Sequence, residues 1–172
     1  MKKFFLVFAL LFTGCLTVPE GVDTVKGFEL ERYLGKWYEV ARFDHSFERG
    51  LVDVTAAYTK RDDGGVKVIN RGYDKLKQEW KEIEGKAFFQ DTPDRGLLKV
   101  SFFGPFYGTY NIVELDKINY SYALVCGPDR SYLWIMARTP KVSKKITNDL
   151  LAKASSLGFD TSKLIFVEHS RE

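Results

Sequence analysis

From Leu51 to Arg61 apolar and polar residues alternate. Val52, Val54, Ala56 and Tyr58 share one parity; Asp53, Thr55, Thr59 and Arg61 share the other. Period-two alternation of this kind predicts a half-buried strand. The stretch GGVKVINRGYDK repeats it, with Val66, Val68 and Asn70 set against Lys67, Arg71 and Lys75, and the RDDGG between the two reads as a tight hairpin. Further strands are predicted at Glu79–Phe89 and Leu97–Phe103, with DTPDRG between them. GPFYG then reads as a break, because proline donates no ladder hydrogen bond. Strands at Thr109–Asp116, Tyr120–Cys126 and Ser131–Arg138 follow, and Lys36–His45 precedes them all. Eight strands joined by short links predict an all-β fold, an antiparallel up-and-down sheet closed into a barrel.

The last three strands, YNIVEL, YALVC and YLWIMA, are apolar on both faces, so something must cover their outer side. The candidate is a single C-terminal α-helix over Ser143–Leu157. Ser143 caps it, Val142, Ile146, Leu150, Ala154 and Leu157 form its stripe, and Gly158 ends it. Glu29–Leu34 suggests a helical turn before the barrel, and KLIFVEH a short closing strand after the helix.

An eight-stranded barrel either holds one small ligand or is filled by its own side chains. Parity assigns the inward positions. They are Ala56 and Tyr58 on the second strand, Val68 and Asn70 on the third, and Ile83 and Ala87 on the fourth. Val100 and Phe102 follow on the fifth, Tyr110 on the sixth, Val125 on the seventh, and Tyr132 and Trp134 on the eighth. Small residues between aromatic walls, with few charges, suit an apolar pocket with polar handles from Asn70 and the tyrosines. A filled core would use the same residue types, so alternation alone leaves both readings open. Trp37 and Arg138 tilt the balance. First and last strands pair in a closed barrel, so an inward Arg138 meets Trp37 at one rim, where a cation–π contact seals that end. The segment DHSFERGL would then lie over the open end as a lid.

Composition adds aromatic wealth, 14 Phe, 9 Tyr and 3 Trp, more than a core alone usually needs. The chain begins Met1-Lys2-Lys3 and runs uncharged from Phe4 to Phe12. That run is too short for a membrane-spanning helix of about 20 residues and reads as a secretory leader. It ends in LFTGCLT, which resembles a bacterial lipobox, although Phe12 stands where leucine is usual. Residues 1–14 are thus expected to be a lipoprotein signal peptide and 15–27 a tether. Residues 28–172 form the barrel domain. The resemblance implies S-diacylglycerol and N-palmitoyl groups on Cys15, and Leu16 after the cysteine implies an outer-membrane address. Without Lys2 and Lys3 the formal charge falls from +3 to +1, so no nucleic-acid footprint is expected. Cys126 then has no partner within the chain, and the fold must stand without a disulfide.

Gly35-Lys36-Trp37 is similar to the G-x-W signature of the lipocalins, and Arg138 to their arginine at the end of the eighth strand. FFGPFYGTYN and ALVCGPDRSYLWIMARTP resemble the bacterial outer-membrane branch. The likeness runs from about Phe28 to Glu168, although DKINYSY replaces the family's T-D-Y signature. It implies a non-enzymatic carrier of fatty acids or lysophospholipids that serves envelope maintenance under stress, with the barrel in the periplasm. No cofactor or metal is expected: His45 and His169 lack ligand spacing, and no nucleophile elbow occurs. Two alternatives stand: a lipid- or isoprenoid-modifying enzyme in the same cavity, with Cys126 as its thiol, or a structural envelope lipoprotein with a filled barrel. A head-group cation is expected at the rim, with Arg42 and Arg49 as candidates. The aromatic FFGPFYG leaves a homodimer surface open.

Overall fold

The computed structural model describes residues 17–171; the leader and Cys15 lie outside them. A helical turn, α1 (Leu30–Tyr33), leads into β1 (Gly35–Arg42), β2 (Leu51–Lys60), β3 (Val66–Asp74) and β4 (Glu79–Phe89). Then come β5 (Leu97–Phe103), β6 (Phe106–Leu115), β7 (Tyr122–Cys126), β8 (Leu133–Ala137), α2 (Lys144–Ser156) and β9 (Ile165–Phe166). Each of the eight main strands pairs antiparallel with its successor, and β1 pairs with both β2 and β8, which closes the barrel. The expected fold class, a closed eight-stranded barrel with one C-terminal helix outside, is therefore correct.

Several boundaries differ from expectation: β1 ends at Arg42, short of His45, and β8 runs only from Leu133 to Ala137. The break at GPFYG shrinks to Gly104–Pro105, because Phe103 and Phe106 pair directly and Tyr107 and Gly108 belong to β6. β7 starts at Tyr122, not Tyr120, since Tyr120 adopts a positive φ of 54° and buries its ring. The preceding loop is organised by Asp116, whose carboxylate accepts from the backbone N–H groups of Ile118 and Asn119. The stretch that lacks the T-D-Y pattern thus still forms a defined turn. Lastly, the supposed tether is packed from Thr17 onward. Val22 and Thr24 are buried, and Val25 exchanges backbone hydrogen bonds with Ile112 and Gly96.

Side chains divide into two cores. The inner one gathers Phe28, Tyr33, Trp37, Leu115, Tyr120 and Met136 at one end of the barrel. The outer one lies between the external face of β6–β8 and α2, where Leu124, Cys126, Leu133 and Ile135 meet Leu150 and Ala154. α2 forms as its sequence predicts: the Ser143 hydroxyl accepts from the Ile146 N–H, and Gly158 with φ 84° ends it. The tail after β9 fills the gap where β1 and β2 diverge. Asp53, expected on the polar face, is instead buried at a bulge in β2 and accepts from the Ser170 and Arg171 N–H groups.

Candidate functional site

Trp37 and Arg138 close one end of the barrel. The Arg138 guanidinium sits 4.1 Å from the centre of the fully buried Trp37 ring. It also donates to three backbone carbonyls, Arg32 (2.8 Å), Lys36 (2.9 Å) and Tyr120 (3.2 Å). The Trp37 indole N–H donates to the Tyr33 carbonyl at 2.7 Å. One side chain thus ties the segment before β1 to the loop between β6 and β7.

Above this plug is a cavity of about 1050 Å³ that opens at the opposite end. Eleven of the twelve positions chosen by parity line it: Ala56, Tyr58, Val68, Asn70, Ile83, Ala87, Val100, Phe102, Tyr110, Tyr132 and Trp134. Val125 faces the same interior but is wholly packed in the inner core and does not reach the cavity wall. Its neighbour Cys126 turns to α2, and burial pushes its thiol up to about 12, so it is neither in the cavity nor ionised.

The cavity has two polar features. At the closed end the Tyr110 hydroxyl bridges those of Tyr33 (2.8 Å) and Tyr58 (2.9 Å). Burial raises all three hydroxyl pKa values, that of Tyr58 to about 12, so the trio is a neutral hydrogen-bonded unit. Asn70 adds a buried amide oxygen without a protein partner.

The second feature, near the mouth, was not anticipated. Glu39 and Arg42, 3% exposed each, form an ion pair at 2.7 Å, and Glu48 is buried beside them. Arg42 also donates to the carbonyls of Glu48 (2.8 Å) and Leu51 (3.2 Å), and Trp134 donates to the Glu48 carboxylate at 3.1 Å. Arg42 is therefore a buried brace, not a free rim cation, and Arg49 is paired with Asp44 at 2.8 Å. The inward turn of Arg42 comes from a bulge between Glu39 and Ala41, which flips the parity of β1. The expected lid is held down by this brace and by His45, which stacks on Tyr132 at 4.3 Å. Burial lowers the His45 pKa. No group of three metal-ligating side chains occurs among the described residues.

One guanidinium serves two carboxylates here. Burial, then repulsion from Glu48, raises Glu39 to about 8 against the pull of Arg42, and burial raises Glu48 as well. The folded protein therefore binds more protons than the unfolded chain between about pH 4.5 and 8. This contribution to stability is fully present below 4.5 and is lost as pH rises through 8. Glu39→Gln removes the titrating group while keeping an acceptor for Arg42. Denaturant titrations at pH 5 and pH 8.5 are expected to show the variant gaining stability relative to the parent as pH rises. An unchanged difference would mean that Glu39 stays ionised throughout.

A closed calyx, plugged at one end by an arginine on a tryptophan and open at the other onto an apolar cavity, defines a small-molecule-binding barrel. The family model of the lipocalin-like domain matches residues 28–169. The chain belongs to the lipocalin family. It is 56% identical to the outer membrane lipoprotein Blc of Vibrio cholerae, over 98% of this chain and 99% of that one. The outer membrane lipoprotein Blc of Escherichia coli K12 is also 56% identical, with 93% and 91% covered. Temperature-induced lipocalin-1 of Arabidopsis thaliana is 37% identical over 87% and 83%. Among solved structures, insecticyanin from the tobacco hornworm Manduca sexta superposes with a TM-score of 0.71 at 22% identity, covering 90% of this chain and 88% of that one.

Proposed function

We propose that the protein is a non-enzymatic carrier of single-chain lipids, fatty acids or lysophospholipids, held at the outer membrane by acyl groups on Cys15. The cavity carries the reading. At about 1050 Å³ it stands at the upper end of the usual 300–1000 Å³ for ligand pockets. Its walls are the aliphatic and aromatic side chains of β2–β6, and a filled barrel leaves no such space. An acyl chain that enters gains ~0.8 kcal/mol per buried methylene. Its head group stays at the mouth, where Arg71 supplies positive charge on the wall; Lys81 beside it is paired with Asp74 at 2.6 Å. The names of the bacterial relatives support the outer-membrane address, and a barrel on the periplasmic side fits an anchor in that membrane's inner leaflet. Storage or transfer of lipids during envelope maintenance, including under stress, is the role this arrangement suits.

The Cys15→Ala variant, purified free of acyl groups, provides the test. Titration with lysophosphatidylethanolamine and with palmitate, followed by tryptophan emission, is expected to saturate at one ligand per barrel. Trp134 reports because it lines the cavity and bonds Glu48. No saturable change, together with no heat in calorimetry, would remove single-chain lipids as the ligand class.

A further inference from the structure

We infer that the closed end of the cavity is a subsite for a hydroxyl group carried on the buried part of the acyl chain, so that the barrel selects hydroxylated single-chain lipids over plain ones. The inference rests on the reading of the cavity as a lipid site and adds the class of chain it takes.

Two polar groups without partners meet there, one a donor and one an acceptor. The donor belongs to the tyrosine trio. Tyr33, Tyr58 and Tyr110 all line the cavity, and two hydrogen bonds join their hydroxyls, Tyr33 with Tyr110 at 2.8 Å and Tyr58 with Tyr110 at 2.9 Å. Among the described residues the trio makes no third bond. Burial keeps all three hydroxyls protonated. Three protons set against two bonds leave one O–H without an acceptor, whichever way the donors run.

The acceptor is Asn70. Its side chain lines the cavity, and its Oδ1 is buried with no hydrogen-bond partner. Asn70 pairs with Ala56 and Val68 with Tyr58, so Asn70 and Tyr58 are diagonal neighbours on the inner face of β2 and β3. The other two corners of that square, Ala56 and Val68, are small and apolar. The Tyr33 ring lies 4.5 Å from the Trp37 ring, which seats the trio on the plug. Asn70 is one inward step nearer the mouth, because Tyr58 faces Gly35 and Ala56 faces Trp37 at the start of β1.

A plain alkyl chain that reaches this end drives water from one donor and one acceptor and pairs with neither, which opposes its own burial. A hydroxyl group both donates and accepts, so it can satisfy the two together. A site that offers hydrogen bonds to a ligand hydroxyl discriminates against the analogue that lacks it. A carboxylate fits poorly. Arg138, the cation felt by Tyr33 and Tyr58, is spent on three backbone carbonyls and the Trp37 ring. The other charged groups felt by Tyr58 are the carboxyl groups of Glu39 and Glu48. A fatty-acid anion entering head first would therefore be buried there without a counter-charge.

Calorimetric titration of the full-chain Cys15→Ala protein with laurate, myristate and palmitate, and with the ω-hydroxy derivative of each, tests this. In a wholly apolar pocket a terminal hydroxyl weakens binding about tenfold or more. Here the best-fitting ω-hydroxy acid is expected to bind at least as tightly as the plain acid of its length. Asn70→Leu puts an apolar side chain of similar size on the cavity wall. It is expected to weaken that hydroxy acid about tenfold while the plain acid binds as well or better, with thermal melts showing folded protein. Hydroxy acids that bind more weakly than the plain acids at every length overturn the inference, and no variant is needed to see it. So does an equal loss for both ligands in Asn70→Leu, which would put the carboxylate of the plain acid at Asn70. If neither class saturates the protein, the single-chain-lipid reading itself fails; saturation by the plain acids alone defeats the hydroxyl subsite and leaves that reading standing.

Discussion

The double variant Ala87→Phe, Val100→Trp is expected to lose more than a hundredfold in affinity for palmitate or lysophospholipid while staying folded. Ala87 and Val100 face each other across β4 and β5, and both line the cavity. Their new rings would project into open volume, not into packed neighbours. Shutting about four methylenes of an acyl chain out of the barrel forfeits ~3 kcal/mol at ~0.8 kcal/mol each, which is about two orders of magnitude in Kd. Val125→Phe makes the opposite case. Val125 faces inward but is fully buried away from the cavity. Overpacking there is expected to destabilise the fold by ~1–3 kcal/mol and to leave affinity in the surviving protein little changed. Calorimetric Kd values and melting temperatures for both variants check the pair. Full affinity in the double variant would place the ligand elsewhere.

Parity read the barrel wall well because β2 to β5 keep a two-residue period through the stretch that surrounds the cavity. Tyr58, Val68, Asn70, Ile83 and Ala87 all follow from it. It could not separate cavity from core. Val125 and Val100 both face inward, and only the three-dimensional closure of the plug end decides that one is packed and the other open. α2 was legible because a doubly apolar run of strands needs a cover and one helix could supply it.

The charged cluster was half legible. Glu39 shares parity with Trp37, so an inward carboxylate could have been read from β1 directly. Arg42 could not, because the bulge after Glu39 reverses the face on which it emerges. Glu48 comes from an irregular segment with no period to follow. The route of residues 17–27 was also invisible: a stretch with Pro19, Gly21 and scattered valines looks like a linker. Its order depends on Thr24 meeting Arg95, 71 residues further along, and on Val25 bonding to Gly96 and Ile112. That hidden order brings Thr17 to Pro128 in the loop between β7 and β8.

Arg138→Ala is expected to be the most damaging single change at the closed end. It removes the cation from the face of Trp37 and leaves the carbonyls of Arg32, Lys36 and Tyr120 without their donor. Hydrogen bonds to a charged group contribute ~1.5–3 kcal/mol each when buried. These lie at a partly exposed rim where water replaces some of them, so a loss of ~3 kcal/mol is the expected size. For a domain of this length that lowers the Tm by roughly 6–12 °C. Arg138→Lys should recover little, since a single ammonium cannot reach three carbonyls that diverge from one planar fork. Trp37→Phe keeps a ring beneath the guanidinium but loses the indole bond to Tyr33, and should fall between the two. Because the plug lies opposite the mouth, ligand affinity measured below the melting transition should change much less than stability does. Thermal melts of the three variants, run with and without saturating lysophospholipid, separate the two effects. A loss of affinity as large as the loss of stability would show that the plug shapes the pocket as well as closing it.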